Sequence, residues 1–325
     1  MRLFLGVDGG QSSTTALIGD PGGRVLGAGA AGPSNHVGAA EGREKFTAAV
    51  SGALAAACGA AGLEPESVRF EAACLGFSGG PEDKRGILAE ILSAERLSVT
   101  TDALIALTGA TGGEPGIVTI AGTGSIAFGR NGAGKTARAG GWGFLFGDEG
   151  GGFDLARQGL RAALRHEEGW GPATKLRQAF LEAGGAKTAN ELLHRFYTRE
   201  FSRPRIAEFA RLIERASDEG DQVARGLLLK AAAELALLAS AVRRQLFEPG
   251  EPARVSYAGG VFASTLVRDR YRLLVEQEPG SRCVPPLHPP AAGALLDAYR
   301  AAGLKVELKD VPDLTQLASS PEPPA

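Results

Sequence analysis

The sequence predicts an α/β protein with two lobes, and three observations support that prediction. The chain has 325 residues, about twice the roughly 150 residues of an ordinary domain. Strand patterns alternate with helix patterns over its first third, which favours a sheet covered by helices. Two hairpin patterns of the same form begin at Leu3 and at Gly116. That repetition indicates a duplicated architecture.

The elements of the first lobe follow the spacing of the apolar residues. The hairpin at Leu3–Ile18 consists of two apolar runs joined by a polar, glycine-rich turn. The patterns that follow predict alternating strands and helices. In chain order they are a strand at Arg24–Gly29, a helix over Glu41–Ala61, a strand at Val68–Gly76, a helix over Pro81–Glu95 and a strand at Leu97–Thr101.

The second hairpin, Gly116–Ala121 and Ser125–Phe128, opens the second lobe, and residues 153–247 then carry mostly helical patterns. A tail rich in Pro, Ser and Glu, Asp310–Ala325, is typical of a disordered segment. The other predicted elements are helices at Arg205–Ala216 and Asp221–Phe247, a strand at Arg254–Ala258, a helix from Gly259-Gly260 to Glu276, and a helix over Pro290–Ala302.

Composition and charge exclude several classes of protein. Lys and Arg number 35 against 37 acidic residues, a net charge of −2, so the basic face of a nucleic-acid binder is not expected. Lys230 and Glu234 interrupt the longest Ala- and Leu-rich stretch, which excludes a membrane span there. The short apolar run after Arg2 ends at Asp8 and does not form a signal peptide. We therefore expect a cytoplasmic protein without membrane or nucleic-acid partners.

Cysteine and histidine spacing predicts no metal site. The cysteines are odd in number and far apart, so we expect reduced, buried thiols, and we expect structural or surface histidines. These residues are Cys58, Cys74, Cys283, His36, His166, His194 and His288.

Two glycine-rich turns supply the first candidate binding residues. Glycines let the backbone approach a ligand closely, and successive N–H groups in a tight turn bind anions. Either turn alone is also compatible with a simple hairpin. The candidates are Gly9, Gly10, Ser12, Ser13 and Thr14 in the first turn, and Gly122, Thr123, Gly124 and Ser125 in the second.

Asp8 stands at the end of the first strand, next to the first turn. A carboxylate beside phosphates repels them unless a divalent cation lies between, and Mg²⁺ is held by one or two carboxylates with phosphates and water. Asp8 is therefore the predicted Mg²⁺ anchor. A third piece, the strand that ends in Gly259-Gly260 before a helix, suits a flat or phosphorylated ligand. It is equally compatible with an ordinary strand-to-helix turn.

In this order, the three pieces resemble the two phosphate hairpins and the adenosine motif of the sugar-kinase, actin and heat-shock chaperone ATPase superfamily. Further motifs are similar to the N-acetylglucosamine kinase branch of the BadF/BadG/BcrA/BcrD ATPase family, over roughly residues 3–300. They are Ser34-Asn35-His36, Leu75–Gly80, Thr100–Ala103, Ala121–Ser125, Gly140–Gly143 and Gly147–Gly150.

This resemblance implies two actin-like (ribonuclease H-like) lobes around a central cleft. Residues 1–110 would form the first lobe, completed by a C-terminal helix at about 290–305, and residues 111–289 the second lobe with a helical insertion. ATP phosphates would bind at the two turns and adenosine at Gly259-Gly260. Because dimers are common among the relatives, a homodimer is expected.

The resemblance also implies that Asp102 is the general base for a sugar hydroxyl, the 6-hydroxyl of N-acetylglucosamine or a related hexose or amino sugar. Phosphoryl transfer needs mostly positioning and charge stabilisation, with a carboxylate accepting the hydroxyl proton. On local pattern alone, Asp102 also fits the N-cap of the following helix.

Sugar contacts are implied by the resemblance at Asn35, His36, Gly80, Trp142, Gly143 and Asp148. Asn and Asp supply donors and acceptors to neighbouring hydroxyls, and Trp142 supplies an apolar face. An Asx-turn for Asn35 and core packing for Trp142 are the alternatives. Val37, Ala139 and Gly151 differ from residues that some relatives carry. The sugar therefore stays open among glucose, glucosamine, N-acetylglucosamine, N-acetylmannosamine and a muramic derivative.

A third glycine-rich segment, Gly129–Thr136, matches the P-loop pattern G-x-x-x-x-G-K-[ST]. That motif needs a helix directly after it, and the glycines that follow Thr136 disfavour one. Asn131-Gly132 is instead a strong hairpin signal. We therefore predict a hairpin, with Lys135 on an exposed turn or on the strand after it.

Two other functions remain as alternatives. One is the ATPase activator of a radical dehydratase, in which cysteines hold an iron–sulfur cluster between subunits; the cysteine spacing here does not suit it. The other is a non-catalytic, actin-like nucleotide-binding protein, against which Asp102 argues.

Overall fold

The computed structural model describes residues 1–34, 42–79, 83–198 and 200–314. These residues form two compact units, each with its own five-stranded mixed sheet. Unit 1 takes the described residues of Met1–Glu114 and Pro286–Ala325, and unit 2 those of Pro115–Pro285. Among the described residues, no helix is long and apolar enough to cross a membrane. The predictions made for Asn35, His36, Val37, Gly80 and residues 315–325 lie outside the described residues.

Unit 1 begins with five strands and three helices. They are β1 (Phe4–Gly9), β2 (Thr14–Gly19), β3 (Val25–Ala31), α1 (Gly42–Ala60), β4 (Phe70–Phe77), α2 (Arg85–Ile91), β5 (Ala94–Thr101) and α3 (Asp102–Thr111).

Unit 2 follows with a second hairpin, a helical insertion and a closing pair of strands, before α11 returns the chain to unit 1. The elements are β6 (Gly116–Ala121), β7 (Ser125–Arg130), β8 (Thr136–Gly140), α4 (Gly152–Glu167), α5 (Leu176–Gly184), α6 (Ala189–Phe196), α7 (Arg203–Ala207), α8 (Ala210–Asp218), α9 (Gln222–Leu246), β9 (Ala253–Ala258), a 3₁₀ turn (Gly260–Ala263), α10 (Thr265–Glu276), β10 (Ser281–Cys283) and α11 (Pro290–Ala301).

The two sheets have the same topology. Their strand orders are β3-β2-β1-β4-β5 and β10-β9-β6-β7-β8. In each sheet a three-stranded antiparallel meander is extended by two parallel strands. One pairs with the first strand of the hairpin, and the other pairs with it in turn. The α/β fold and the duplicated architecture predicted from the two hairpin patterns are confirmed.

The sheet of unit 1 is buried on both faces, which explains the continuous apolar run of β1. Leu5 and Val7 join the cluster on the α1 side, whereas Phe4 joins the cluster formed with α11. Helix α11 lies so close to β1 that a Cβ on Gly6 would come within 2.3 Å of the backbone N of Leu295. A glycine at this position is what allows the helix to lie directly on the strand.

The core of unit 2 is built on the 25-residue helix α9. Leu235, Ala239 and Val242 on this helix belong to the same buried cluster as Ile117 and Val255 of the sheet. Three phenylalanines of the helical insertion, Phe180, Phe196 and Phe201, form an aromatic group around Phe209. The insertion therefore has a core of its own that is continuous with the core of the sheet.

The helix predicted over Pro81–Glu95 is too long. Helix α2 covers Arg85–Ile91, Leu92 is extended, and β5 starts at Ala94, three residues before the predicted strand at Leu97–Thr101. Ala94 pairs with Phe70 of β4, so hydrogen bonding to the sheet outweighs the helix propensity of this short stretch.

Two further helix predictions need correction. The helix predicted at Arg205–Ala216 is broken into α7 and α8, and Phe209 at the break is buried against neighbouring aromatic rings. Gly259-Gly260 does not start a continuous α-helix: a 3₁₀ turn comes first, Ser264 is extended, and α10 begins only at Thr265.

Candidate functional site

The first glycine-rich turn joins β1 to β2 and is held by its own backbone. The N–H of Gly10 donates to the carbonyl of Ser13 at 2.9 Å, and the N–H of Ser78 donates to the carbonyl of Gly9 at 3.1 Å. Within the described residues, the N–H groups of Gln11, Ser12 and Ser13 donate to no other group. Successive N–H groups of a tight turn are the donors with which such turns bind anions.

The predicted members of this first turn have different roles. The hydroxyl of Thr14 is buried and donates to the carbonyl of Gly32 at 2.9 Å, so it holds the turn in place. Gly9 is required by packing, because a Cβ there would lie 2.2 Å from the Phe77 ring. Gly10 is less crowded, its nearest atom being the Ser13 carbonyl oxygen at 3.3 Å.

Asp8 is half-buried at the end of β1, beside this turn. It pairs with Thr15 of β2 on one side and with Gly76 of β4 on the other. Burial, with a further contribution from the charge of Asp102, raises the pKa of Asp8 to about 7. A carboxyl group whose ionisation is opposed by both desolvation and a second carboxylate is a group that a bound cation would stabilise.

Asp102 is the first residue of α3, directly after β5, in the same unit. The alternative role as N-cap belongs to its neighbour, because the hydroxyl of Thr101 accepts the N–H of Leu104 at 3.3 Å. The Asp102 carboxylate accepts the N–H of Ala103 at 2.8 Å. Burial raises the pKa of Asp102, an effect partly opposed by backbone N–H donors, by Lys84 and by the Ser78 hydroxyl. A raised pKa makes the carboxylate a stronger proton acceptor near neutral pH.

Asp8, the predicted metal anchor, fits a magnesium ion better than a transition metal. The described residues contain no group of three or more His, Cys, Asp or Glu side chains that could hold a metal alone. Mg²⁺ typically takes only one or two protein carboxylates and completes its octahedron with water and phosphate oxygens. The residues present are therefore adequate for a Mg²⁺ ion that arrives with a nucleotide.

In unit 2, the second turn is clamped by the segment 148–153. The N–H groups of Gly152 and Phe153 donate to the carbonyls of Gly122 and Thr123 at 2.8 and 3.0 Å. The Ser125 hydroxyl donates to the carbonyl of Glu149 at 2.7 Å. The N–H groups of Thr123 and Gly124 donate to no other group among the residues described. This turn, too, keeps backbone donors available for an anion.

The predicted adenosine turn lies against the turn Gly122–Ser125 in the same unit. Strands β6 and β9 are parallel, with Ile120 opposite Ala258. A Cβ on Gly259 would lie 2.4 Å from the carbonyl oxygen of Ala121, and the φ of Gly259 is 98°. By contrast, nothing lies within 4 Å of a Cβ on Gly260. Gly259 thus permits the close approach of the two turns, and Gly260 leaves open space beside them.

The predicted sugar residues of unit 2 follow strand β8. Trp142 is 65% exposed, so core packing, its alternative role, is wrong. The guanidinium of Arg138 lies 4.7 Å from the centre of the Trp142 ring. Gly143 has a φ of 77° and open space around a Cβ. Asp148 is buried and accepts the N–H of Ser125 at 3.2 Å.

Three residues near these groups were not among the sequence-predicted site residues. Ser78 contacts the first turn and Asp102, and Lys84 is a buried lysine whose Nζ lies 3.1 Å from Asp83 Oδ1. In unit 2, Arg203 at the start of α7 forms an ion pair with Asp148. Ser78 follows β4 directly, which was an available signal. Lys84 and Arg203 belong to no motif. Only folding brings Lys84 close to Asp102 in unit 1 and Arg203 close to Asp148 in unit 2.

The P-loop-like segment is a hairpin, as predicted. The N–H of Asn131 donates to the carbonyl of Lys135 at 3.0 Å, and Arg130 pairs with Thr136 across β7 and β8. The Asn131 side chain accepts the N–H groups of Ala133 and Lys135. Lys135 is exposed, and no helix follows it, so the segment lacks the helix N-terminus that a P-loop requires.

Comparisons with known proteins agree with this arrangement. The model of the BadF/BadG/BcrA/BcrD ATPase family matches residues 5–298. The chain belongs to this family.

Three similar proteins carry kinase names. An N-acetylmuramic acid/N-acetylglucosamine kinase of Clostridium acetobutylicum is 34% identical over 266 residues, covering 80% of this chain and 86% of the relative. An N-acetyl-D-glucosamine kinase of Dictyostelium discoideum is 29% identical over 273 residues, covering 80% and 85%. The crystal structure of a candidate N-acetylglucosamine kinase from Chromobacterium violaceum matches with a TM-score of 0.76 and 29% identity, covering 91% and 98%.

Proposed function

We propose that this family member is an ATP- and Mg²⁺-dependent kinase that phosphorylates the 6-hydroxyl of N-acetylglucosamine or a closely related amino sugar. The observation that carries the proposal is Asp102: a carboxylate at the start of a helix, buried enough for its pKa to be raised, in the same unit as the anion-binding turn at residues 10–13. The name of the relative that is 34% identical supports the choice of substrate.

In this proposal Asp102 accepts the proton of the sugar hydroxyl as that oxygen attacks the γ-phosphorus. A general base of this kind contributes about 10²- to 10⁴-fold to turnover. Thr101 supports the role, because it takes over the capping of α3 and leaves Asp102 with acceptor capacity beyond its bond to Ala103.

Asp8 would hold the Mg²⁺, which neutralises phosphate charge when it is bound. This chain supplies the half-buried carboxylate and, next to it, the available N–H groups of the first turn. In unit 2, Thr123 and Gly124 would donate to phosphate oxygens, and the open space at Gly260 would accept the adenosine.

Sugar recognition would use Trp142, Gly143 and Asp148 from unit 2, with Asn35, His36 and Gly80 as the members implied by the resemblance. Trp142 supports this role because its ring is exposed rather than packed in the core. The carboxylate of Asp148 has about four lone-pair positions. Its bonds to Ser125 and Arg203 leave acceptor capacity for a sugar hydroxyl.

The test is a coupled ATP-consumption assay with Mg²⁺ and a panel of five sugars: glucose, glucosamine, N-acetylglucosamine, N-acetylmannosamine and N-acetylmuramic acid. We expect turnover with an N-acetylated sugar, and a mass shift of one phosphoryl group on the product, located at O6 by NMR. ATP binding without phosphorylation of any sugar would contradict the proposal.

Asp102→Asn tests the base. We expect turnover to fall about 10²-fold or more while the dissociation constant for ATP changes little. Asp269→Asn is the matched control, because Asp269 is exposed on α10 and the change is chemically the same. Near-normal turnover of Asp102→Asn would remove Asp102 from the mechanism.

A further inference from the structure

Arg203 is the first residue of α7, in the helical insertion of unit 2, and it reaches the clamped turn Gly122–Ser125 through Asp148. One oxygen of Asp148 accepts the N–H of Ser125 at 3.2 Å, and the other is paired with the Arg203 guanidinium. A Cβ on Gly124 would come within 2.5 Å of the Asp148 carboxylate. Arg203, Asp148 and the turn therefore form one continuous set of contacts.

Aromatic rings fix the guanidinium of Arg203 from the other side. Its central carbon lies 5.1 Å from the centre of the Phe144 ring and 5.9 Å from that of Phe153. Phe153 also donates its N–H to the Thr123 carbonyl. The arginine is thus held between a carboxylate and two rings, one of which belongs to a residue that itself clamps the turn.

Fold stability alone gives no reason for this arrangement. Asp148 has a φ of 67°, a left-handed conformation that is uncommon for a non-glycine residue. The Nε of Arg203 is buried and donates to no acceptor among the described residues, at a cost of about 1–3 kcal/mol. A buried ion pair returns little net stability, although removing one partner is strongly destabilising. Costs of this kind are typical of functional sites.

We propose that Arg203 is a positioning residue for phosphate binding at the turn Gly122–Ser125. It neutralises Asp148 and presses its carboxylate against Gly124 and Ser125. The bond to Ser125 occupies that N–H and leaves the N–H groups of Thr123 and Gly124 directed to the ligand. The inference rests on the proposed function, which assigns this turn to ATP phosphates.

The first experiment measures the ATP dissociation constant, the KM for ATP and for sugar, and the melting temperature of Arg203→Met. The thioether chain keeps the packing on the rings but removes the charge. We expect the ATP dissociation constant to rise about tenfold or more. The sugar KM should rise by a smaller factor, because Asp148 is also a proposed sugar contact. Arg205→Met is the matched control, two residues along the same short helix, exposed and bonded to the Glu200 carbonyl; both constants should stay within about twofold.

A double variant separates positioning from stability. Arg203→Met alone leaves a buried, unpaired carboxylate, so a lower melting temperature is expected. Arg203→Met combined with Asp148→Asn removes that charge and should restore the melting temperature without restoring ATP affinity. Recovery of both together would mean that the pair serves stability only, and would overturn the inference.

Two outcomes distinguish this inference from the proposed function. If Gly122→Ala weakens ATP binding but Arg203→Met does not, the turn binds phosphate and the role of Arg203 is wrong. If neither change affects ATP, the assignment of the turn fails, and this inference fails with it. A rise of the sugar KM with an unchanged ATP dissociation constant in Arg203→Met would overturn the inference, since Arg203 would then act only on the sugar contact of Asp148.

Discussion

The two glycine-rich turns, one in each unit, follow strands in equivalent positions of sheets with the same topology, yet the charged groups beside them differ. The first turn lies beside Asp8, and burial opposes the ionisation of this carboxyl group. Among the described residues, no cationic side chain is bonded to Asp8. The second turn has Ala121 at the end of its strand and receives its carboxylate, Asp148, from a later loop, already paired with Arg203.

The difference indicates that the same hairpin has been adapted to two tasks. In the proposed function, a Mg²⁺ ion that arrives with ATP would supply the positive charge at the first turn. The second turn carries its own cation, which suits a rigid cradle that does not depend on metal. The comparison predicts that changes at the first turn affect catalysis and metal dependence, whereas changes at the second affect mainly nucleotide affinity.

The largest effect is expected at Asp8. Asp8→Ala should lower Mg²⁺-dependent turnover by about 10²-fold or more, because it removes the proposed metal anchor and with it several kcal/mol of charge stabilisation. Steady-state kinetics across a Mg²⁺ titration measures the loss. Ser13→Ala, which removes a hydroxyl from the same turn but keeps its N–H, should cost only a few-fold. Equal losses in both variants would contradict a special role for Asp8.

The second prediction compares two glycines of the second turn. Gly124→Ala places a methyl group against the Asp148 carboxylate and should raise the KM for ATP about tenfold, or about 1.4 kcal/mol. A Cβ on Gly122 meets nothing within 4 Å, so Gly122→Ala should leave the free energy of unfolding within about 0.5 kcal/mol. Any loss of ATP affinity in Gly122→Ala then reports direct contact with the ligand. A Gly124→Ala variant with unchanged KM for ATP would show that the turn tolerates displacement.

A third prediction concerns stability and pH at the first turn. The pKa of Asp8 is about 7 in the folded protein and about 4 in the unfolded chain. Between these values the unfolded carboxyl is ionised and the folded one is protonated, so the free energy of unfolding falls as pH rises through this window. Asp8→Asn, which cannot ionise, should be more stable than the parent by about 1–3 kcal/mol at pH 8, and equally stable near pH 4.

Chemical denaturation of the ligand-free protein at both pH values measures this difference. With Mg²⁺ and ATP present at pH 8, the parent should become the more stable of the two proteins, because the proposed Mg²⁺ site needs the Asp8 carboxylate. A pH-independent difference between the two proteins would show that the effect comes from packing rather than from charge.

Local patterns predicted the architecture well because most strands and helices are encoded by short-range periodicity. The hairpin of β1 and β2, helix α9 and helix α11 lie within one or two residues of their predicted bounds. Where tertiary contacts decide, the predictions were wrong: β5 takes residues of a predicted helix by pairing with β4, and Phe209 breaks another helix by entering the aromatic core.

The candidate site shows the same division. Motifs pointed to Asp8, Asp102 and both turns, because each belongs to a short continuous segment whose residue types alone indicate its chemistry. They did not point to Lys84 or Arg203. The proximity of Lys84 to Asp102, and of Arg203 to Asp148, depends on how separate segments fold together. Arg203 is 55 residues from Asp148 along the chain. No local signal could reveal that pairing.

The smallest effect is expected at the third glycine-rich turn, which has the letters of a P-loop without its structure. Lys135 lies at the end of a hairpin turn, exposed, with its Nζ 2.9 Å from the carbonyl oxygen of Gln245. An exposed contact of this kind contributes little, so Lys135→Ala should change the free energy of unfolding by no more than about 0.5 kcal/mol. ATP affinity and turnover should stay within a few-fold of the parent. In a true P-loop the same change would abolish nucleotide use, because the lysine would contact the β- and γ-phosphates.

An inactive Lys135→Ala beside an active Asp8→Ala would therefore reverse the assignment of the turns. The opposite result would support phosphate binding at turns whose N–H groups donate to no other described group, as at residues 11–13 and 123–124. The third turn differs, because the Asn131 side chain already accepts the N–H groups of Ala133 and Lys135.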